Sequence, residues 1–279
     1  MPKSSYLIFY VCLCVLTAAC GETLLAEGGS YCTPSAEQRS EDCYLNDGEP
    51  VVVEDVSDLD PICSTSCNKI RELRISGRNV AGLTNLEALR GISVESVDFT
   101  GVPDLRTTRG LSLANGARIL LQQNPSLEEF VVGTPLEQAS RIEMQSNASL
   151  RSLDALSNLQ HFGETGEARK LHLLNLPISD LSVFHGLELI GNTYFLIRNL
   201  DSLKSLPSLK GTAATIQIQV NDELFDISGL TSLEQISYKL TVSDNPKLKN
   251  CEARRVAEQI TFGDDAQAVI RENGTGSCE

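Results

Sequence analysis

Three kinds of side chain in this 279-residue sequence could do chemistry: thiols, imidazoles and paired carboxylates. The thiols are Cys12, Cys14, Cys20, Cys32, Cys43, Cys63, Cys67, Cys251 and Cys278. Their spacing lacks the paired C-x-x-C of a zinc ribbon, so disulfide formation is their expected chemistry and zinc at the N-terminal four is the lesser rival. His161, His172 and His185 show no metal-ligand spacing, and neither H-E-x-x-H nor a G-x-S-x-G elbow occurs. No metal and no cofactor is expected. Asp98 and Glu143 are the carboxylates that could cleave a glycan. On strands stacked about 4.8 Å apart they would lie roughly 10 Å from each other, too far for a close dyad, so an enzyme is the least favoured reading.

One thiol sits in a special context. Lys3 supplies a thin positive start, Tyr6 to Leu16 form an apolar stretch, and Thr17-Ala18-Ala19 lead into Cys20. The stretch falls short of the roughly 20 apolar residues that span a bilayer. Residues 1–19 therefore read as a signal peptide. Small residues before a cysteine resemble a bacterial lipobox, with Thr17 standing where leucine is usual. Cys20 is the expected lipidation site, and release of a free secreted protein after Ala19 is the alternative. Gly21 favours the outer membrane or cell surface.

Six cysteines then remain, an even number that suggests disulfides in an exported chain. Cys251–Cys278 is the expected pair at the C-terminal end, where no other cysteine is near. Cys32–Cys43 and Cys63–Cys67 are the expected pairs at the other end. The chain is acidic, with formal net charge -14 and pI ≈ 4.7. This argues against nucleic acid, and against membrane contact other than through the N-terminal lipid. Glu41, Asp42, Asp47, Glu49, Glu54, Asp55, Asp58 and Asp60 crowd one region without D-x-D-x-D-G spacing. They read as a solvated leader rather than a calcium site.

The elements that would position such residues announce themselves as a phrase, apolar-x-apolar-x-x-(Asn or apolar)-x-x-Leu. It starts at Leu73, Val97, Ile119, Ile142, Leu171, Phe195, Ile216 and Leu240, at intervals of 21 to 29 residues. A period in the twenties predicts a solenoid, one circuit per phrase. The two apolar positions two apart predict a strand with both side chains inward. Leu83-Leu86-Leu89, Leu153-Leu156-Leu159 and Leu230-Leu233-Ile236 would fill the opposite wall. Asn124, Asn147, Asn221 and Asn245 are expected to form a ladder of stacked amides, broken where Leu176 and Leu200 replace asparagine. Val51-Val53-Val56-Leu59 reads as a first circuit. Residues 251–260 carry helical spacing through Ala253, Val256 and Ile260, predicting a capping helix. The expected organisation is 1–19 signal peptide, 20–48 leader, 49–250 solenoid and 251–279 disulfide-closed cap.

Leu230-Leu233-Ile236, Leu240-Val242, Asn245-Pro246-Lys247-Leu248, Cys251 and Cys278 carry a resemblance to the receptor L-domain family of leucine-rich solenoids, in bacterial members of the myxobacterial kind. The resemblance implies a mainly β fold with short helical elements, a right-handed solenoid of about eight to nine coils, and a non-catalytic binding or structural role. In such a coil the residue between the inward pair faces out. This gives a column of Arg74, Asp98, Leu120, Glu143, His172, Leu196, Gln217 and Thr241, flanked by Leu174, Tyr194 and Arg198. The expected function is recognition of a protein or glycan by this face, in a monomeric exported protein. A structural envelope protein without a ligand is the alternative, and a loop covering the leucines would remove the face. Asn147-Ala148-Ser149 and Asn273-Gly274-Thr275 match the N-glycosylation pattern, which a bacterial source would leave silent.

Overall fold

The computed structural model describes residues 25–26, 29–30, 41–60, 62, 65–163, 169–276 and 278. The proposed signal peptide and lipidation site Cys20, together with Cys32 and Cys63, lie outside them. The protein is mainly β. Sixteen strands are assigned among the described residues: β1 (Leu25–Ala26), β2 (Gly29–Ser30), β3 (Glu41–Tyr44), β4 (Val51–Val53), β5 (Cys67–Ser76), β6 (Ser93–Thr100), β7 (Ser112–Gln122), β8 (Gln138–Gln145), β9 (His161–Phe162), β10 (Lys170–Leu174), β11 (Glu188–Leu189), β12 (Tyr194–Arg198), β13 (Lys210–Gln219), β14 (Leu233–Ser243), β15 (Thr261–Phe262) and β16 (Gln267–Arg271). All but β1 and β2 join one sheet, in which every pairing is parallel.

The register follows the recurring phrase. Leu73 pairs with Val97, Val97 with Ile119, Ile119 with Ile142 and Ile142 with Leu171. The row continues through Phe195, Ile216 and Leu240. All eight are fully buried, as are their partners two residues on, from Ile75 to Val242. The apolar pair thus fills the interior from the strand side. Leu86, Leu89, Leu156 and Leu230 fill it from the far wall, where short 3-10 turns such as Glu87–Leu89 and Asp154–Leu156 carry the return chain. These side chains belong to one continuous hydrophobic cluster.

Each long strand ends at a left-handed residue: Gly77, Gly101, Gln123, Ser146, Asn175, Asn199, Val220, Asp244 and Glu272. At all of these but Gly77, whose successor Arg78 is exposed, reversing the backbone swings the next side chain inward. The freed N–H then donates across to the neighbouring strand, as Gln123 does to the Gln145 carbonyl and Val220 to the Ser243 carbonyl. Only Gly77 and Gly101 take this conformation without steric cost.

At five of these turns the inward residue is a ladder asparagine. Asn124 Nδ2 donates to the Phe99 carbonyl at 2.9 Å and to Asn147 Oδ1 at 3.1 Å. Asn147 in turn donates to the Leu121 carbonyl. Leu176 and Leu200 interrupt the row, and it resumes with Asn221, Asn245 and Asn273. Asn147 and Asn273, which open the two glycosylation-like triplets, are therefore interior side chains with their amides committed. Asn273 also lengthens the array beyond expectation. After the helix Asn250–Ala257, which buries Ala253, Val256 and Ala257, the chain adds β16 alongside β14. The segment beyond 250 thus contributes the strands β15 and β16 as well as a cover.

Cys251–Cys278 forms as expected, and Cys43 bonds Cys67. The second bond corrects the pairings Cys32–Cys43 and Cys63–Cys67. β3 lies beside β5 with Glu41 opposite Cys67, which brings the Cα atoms of Cys43 and Cys67 to 4.9 Å despite a sequence separation of 24. The two disulfides point to an oxidising, extracytoplasmic environment. Among the described residues no helix is long and apolar enough to cross a membrane.

Candidate functional site

The middle residue of each strand triplet has its side chain on the outer face, because the two neighbours point inward. Pairing is continuous along this column: Arg74 with Asp98, Asp98 with Leu120, Leu120 with Glu143, Glu143 with His172, His172 with Leu196, Leu196 with Gln217 and Gln217 with Thr241. Tyr194 and Arg198 stand at the two ends of β12 in the flanking columns, and Leu174 lies opposite Arg198. Every sequence-predicted face residue is therefore on one sheet surface. Presentation varies along it. Arg74 and Arg198 are exposed, Asp98, Leu120, Glu143, Tyr194 and Leu196 are half-buried, and His172 and Thr241 are buried.

The centre of the face is a charged and aromatic cluster. Arg141 donates to Glu143 through Nε at 2.5 Å, and Lys170 Nζ lies 3.9 Å from the same carboxylate. His172 Nδ1 is 4.0 Å from Glu143 Oε2, and its ring meets that of Tyr194 edge-on with centroids 4.7 Å apart. Its Nε2 is buried with no partner among the described residues. Burial pushes the imidazole pKa down to about 4, against the opposing pull of Glu143 and with smaller help from Lys170 and Arg141. The ring is neutral at ordinary pH and adds no charge to the face. Burial also raises the Tyr194 hydroxyl pKa.

Toward β5 the face opens into a groove of about 630 Å³, lined by Arg71, Arg74, Glu95, Arg118, Leu120 and Ser140 among others. Its carboxylates are engaged: Glu72 with Arg74 at 2.7 Å, and Glu95 with the Tyr44 hydroxyl. Arg71 lies over the Tyr44 ring, 5.3 Å from its centroid. Arg118, Arg141 and Lys170 escaped the sequence reading, although they directly precede the inward residues Ile119, Ile142 and Leu171 of β7, β8 and β10 and were findable by the same alternation.

Asp98 and Glu143 are separated by β7, which rules them out as a close catalytic dyad. Glu143 is moreover held in ion pairs, and Asp98 accepts from the Thr100 hydroxyl. Among the described residues no cluster of three or more histidine, cysteine or carboxylate side chains is placed to hold a metal ion. The arrangement can clamp an anionic or hydroxyl-rich ligand with guanidinium groups and half-exposed apolar surface. No family model matches the chain, and neither a curated protein nor a solved structure does.

Proposed function

We propose that this chain is a non-catalytic, exported binding module that recognises a protein or glycan with its outer strand face. In this reading the parallel strands are the coils of a right-handed leucine-rich solenoid of the receptor L-domain kind, and Cys20 anchors the chain to the outer membrane by lipid. The carrying observation is the unbroken outer column from Arg74 to Gln217, with its adjoining groove. A surface spanning many strands, mixing cations, carboxylates, tyrosine and leucine, is the kind of surface stacked-strand proteins use for partners. Capture from envelope extract tests this. A saturable partner should be retained by the native protein and lost when Leu120, Tyr194 and Leu196 are changed to serine, with folding preserved. Collapse of the fold on these changes would instead assign the three to the structural interior.

The half-burial of Leu120 and Leu196 favours a second reading, in which the face needs no partner and the protein is a structural envelope component. Mass spectrometry of the mature N-terminus separately tests lipidation, since diacylglycerol on Cys20 has a defined mass.

A further inference from the structure

The charge on the outer face differs from that of the chain as a whole. The protein carries net charge -14, yet Arg118, Arg141 and Lys170 stand on three adjacent strands in one row. Arg118 pairs directly with Arg141, while Arg141 and Lys170 immediately precede the partners Ile142 and Leu171. The acids facing this row from neighbouring elements all have partners, and Arg141 and Lys170 are themselves engaged by Glu143. Glu143 is bonded by Arg141, Glu72 by Arg74, Glu95 by the Tyr44 hydroxyl and Asp98 by the Thr100 hydroxyl. Arg118 is exposed and has no ion-pair partner among the described residues. It opens into the 630 Å³ groove beside Leu120 and Ser140.

We propose that this groove is a subsite for a linear acidic glycan, with a uronate carboxylate seated on Arg118 and the next sugars running across the groove toward Arg71 and Arg74. The assignment deepens the binding-face reading and rests on it. A guanidinium fork matches a carboxylate with two parallel hydrogen bonds. Adjacent strands are about 4.8 Å apart, close to the length of one pyranose ring, so roughly two sugars span the groove from Arg118 on β7 to Arg74 on β5. Leu120 offers an apolar patch to a ring face, and the Ser96 and Ser140 hydroxyls offer partners to sugar hydroxyls. A peptide fits less well. Peptides dock on sheets by adding a strand at an edge, or as a helix in an apolar groove. Here β7 is already paired on both sides by β6 and β8, and Leu120 is the groove's one aliphatic lining residue.

Calorimetric titration of the purified full chain with tetragalacturonate tests the assignment. Saturable binding is expected, weakened at least tenfold by Arg118→Gln, less by Arg118→Lys, and at least tenfold by methyl-esterifying the oligomer. Arg254→Gln, on the C-terminal helix, should leave it unchanged. Added salt should weaken it, because the contacts are solvent-exposed. Equal affinity of the native chain and Arg118→Gln overturns the proposal, as does hexaglutamate binding as tightly as the uronate. If tetragalacturonate fails to bind while the serine substitutions at Leu120, Tyr194 and Leu196 still abolish partner capture, the glycan assignment falls and the binding face stands. Failure of both removes both.

Discussion

At His172, burial and charge pull in opposite directions, and burial wins. The imidazole titrates near 4 in the folded chain against 6.5 when exposed. Between those values the unfolded chain binds a proton that the folded chain refuses, so stability rises with pH across that window. The contribution is complete above about pH 6.5 and declines as pH falls toward 4, with on the order of 2–3 kcal/mol at stake. His172→Gln should flatten this part of the stability profile, measured by urea unfolding at pH 7 and pH 4.5. Parallel profiles for the two proteins would show that the ring is not shielded. Val220 supplies a second prediction. It is a β-branched residue at φ 56, where equivalent positions hold Asn175 and Asn199. The left-handed region costs such a side chain about 1–2 kcal/mol, so Val220→Asn should stabilise the protein by about 1 kcal/mol. A drop in stability would mean that the half-buried valine packs better than its backbone is strained. These turn residues were illegible in the sequence because Gln123, Ser146, Val220 and Glu272 share no side-chain chemistry. What they share is a place in the path of the backbone.

The strand and its following asparagine form the unit that the sequence showed most openly. Period-2 alternation placed the inward residues and the outer column correctly, and leucine at 176 and 200 foretold the gap in the amide row. Asn245 bears the most bonds. It accepts from the Asn221 backbone and side chain, and donates to the Ile218 and Ser243 carbonyls and to Asn273. Removing it strands several buried groups, each costing about 1–3 kcal/mol. Asn245→Ala should therefore lose about 3–5 kcal/mol by chemical denaturation, and a loss below 1 kcal/mol would mean that water takes over the vacated bonds. The last strand was overlooked although Ala268-x-Ile270-x-x-Asn273 obeys the same phrase, because alanine is a weak apolar signal and Asn273 sits in a triplet that suggests surface glycosylation. The N-terminal disulfide was hidden for a different reason. Cys43 meets Cys67 through strand pairing across 24 positions, and nearness in sequence pointed elsewhere.

Over the whole molecule, interior strands are held from both sides and terminal ones from one. β16 pairs only with β14, and its Ala268 is exposed. The Cys251–Cys278 bond, spanning 27 positions, ties the end of the chain back to the helix. Replacing both cysteines with serine should cost about 3 kcal/mol, and amide exchange should quicken in β16 and the helix while β7 and β8 keep their protection. Uniform quickening would mean that the chain melts as one cooperative block. The burial of Asn147 and Asn273 reaches into the choice of expression host. Yeast or animal cells decorate Asn-x-Ser/Thr while the polypeptide is still emerging into their secretory compartment. An oligosaccharide tree on either residue would then occupy space that the finished interior reserves for a bare carboxamide. Ser149→Ala with Thr275→Ala would erase both tags, leave the two asparagines in place, and restore a crop of correctly assembled material from such cells.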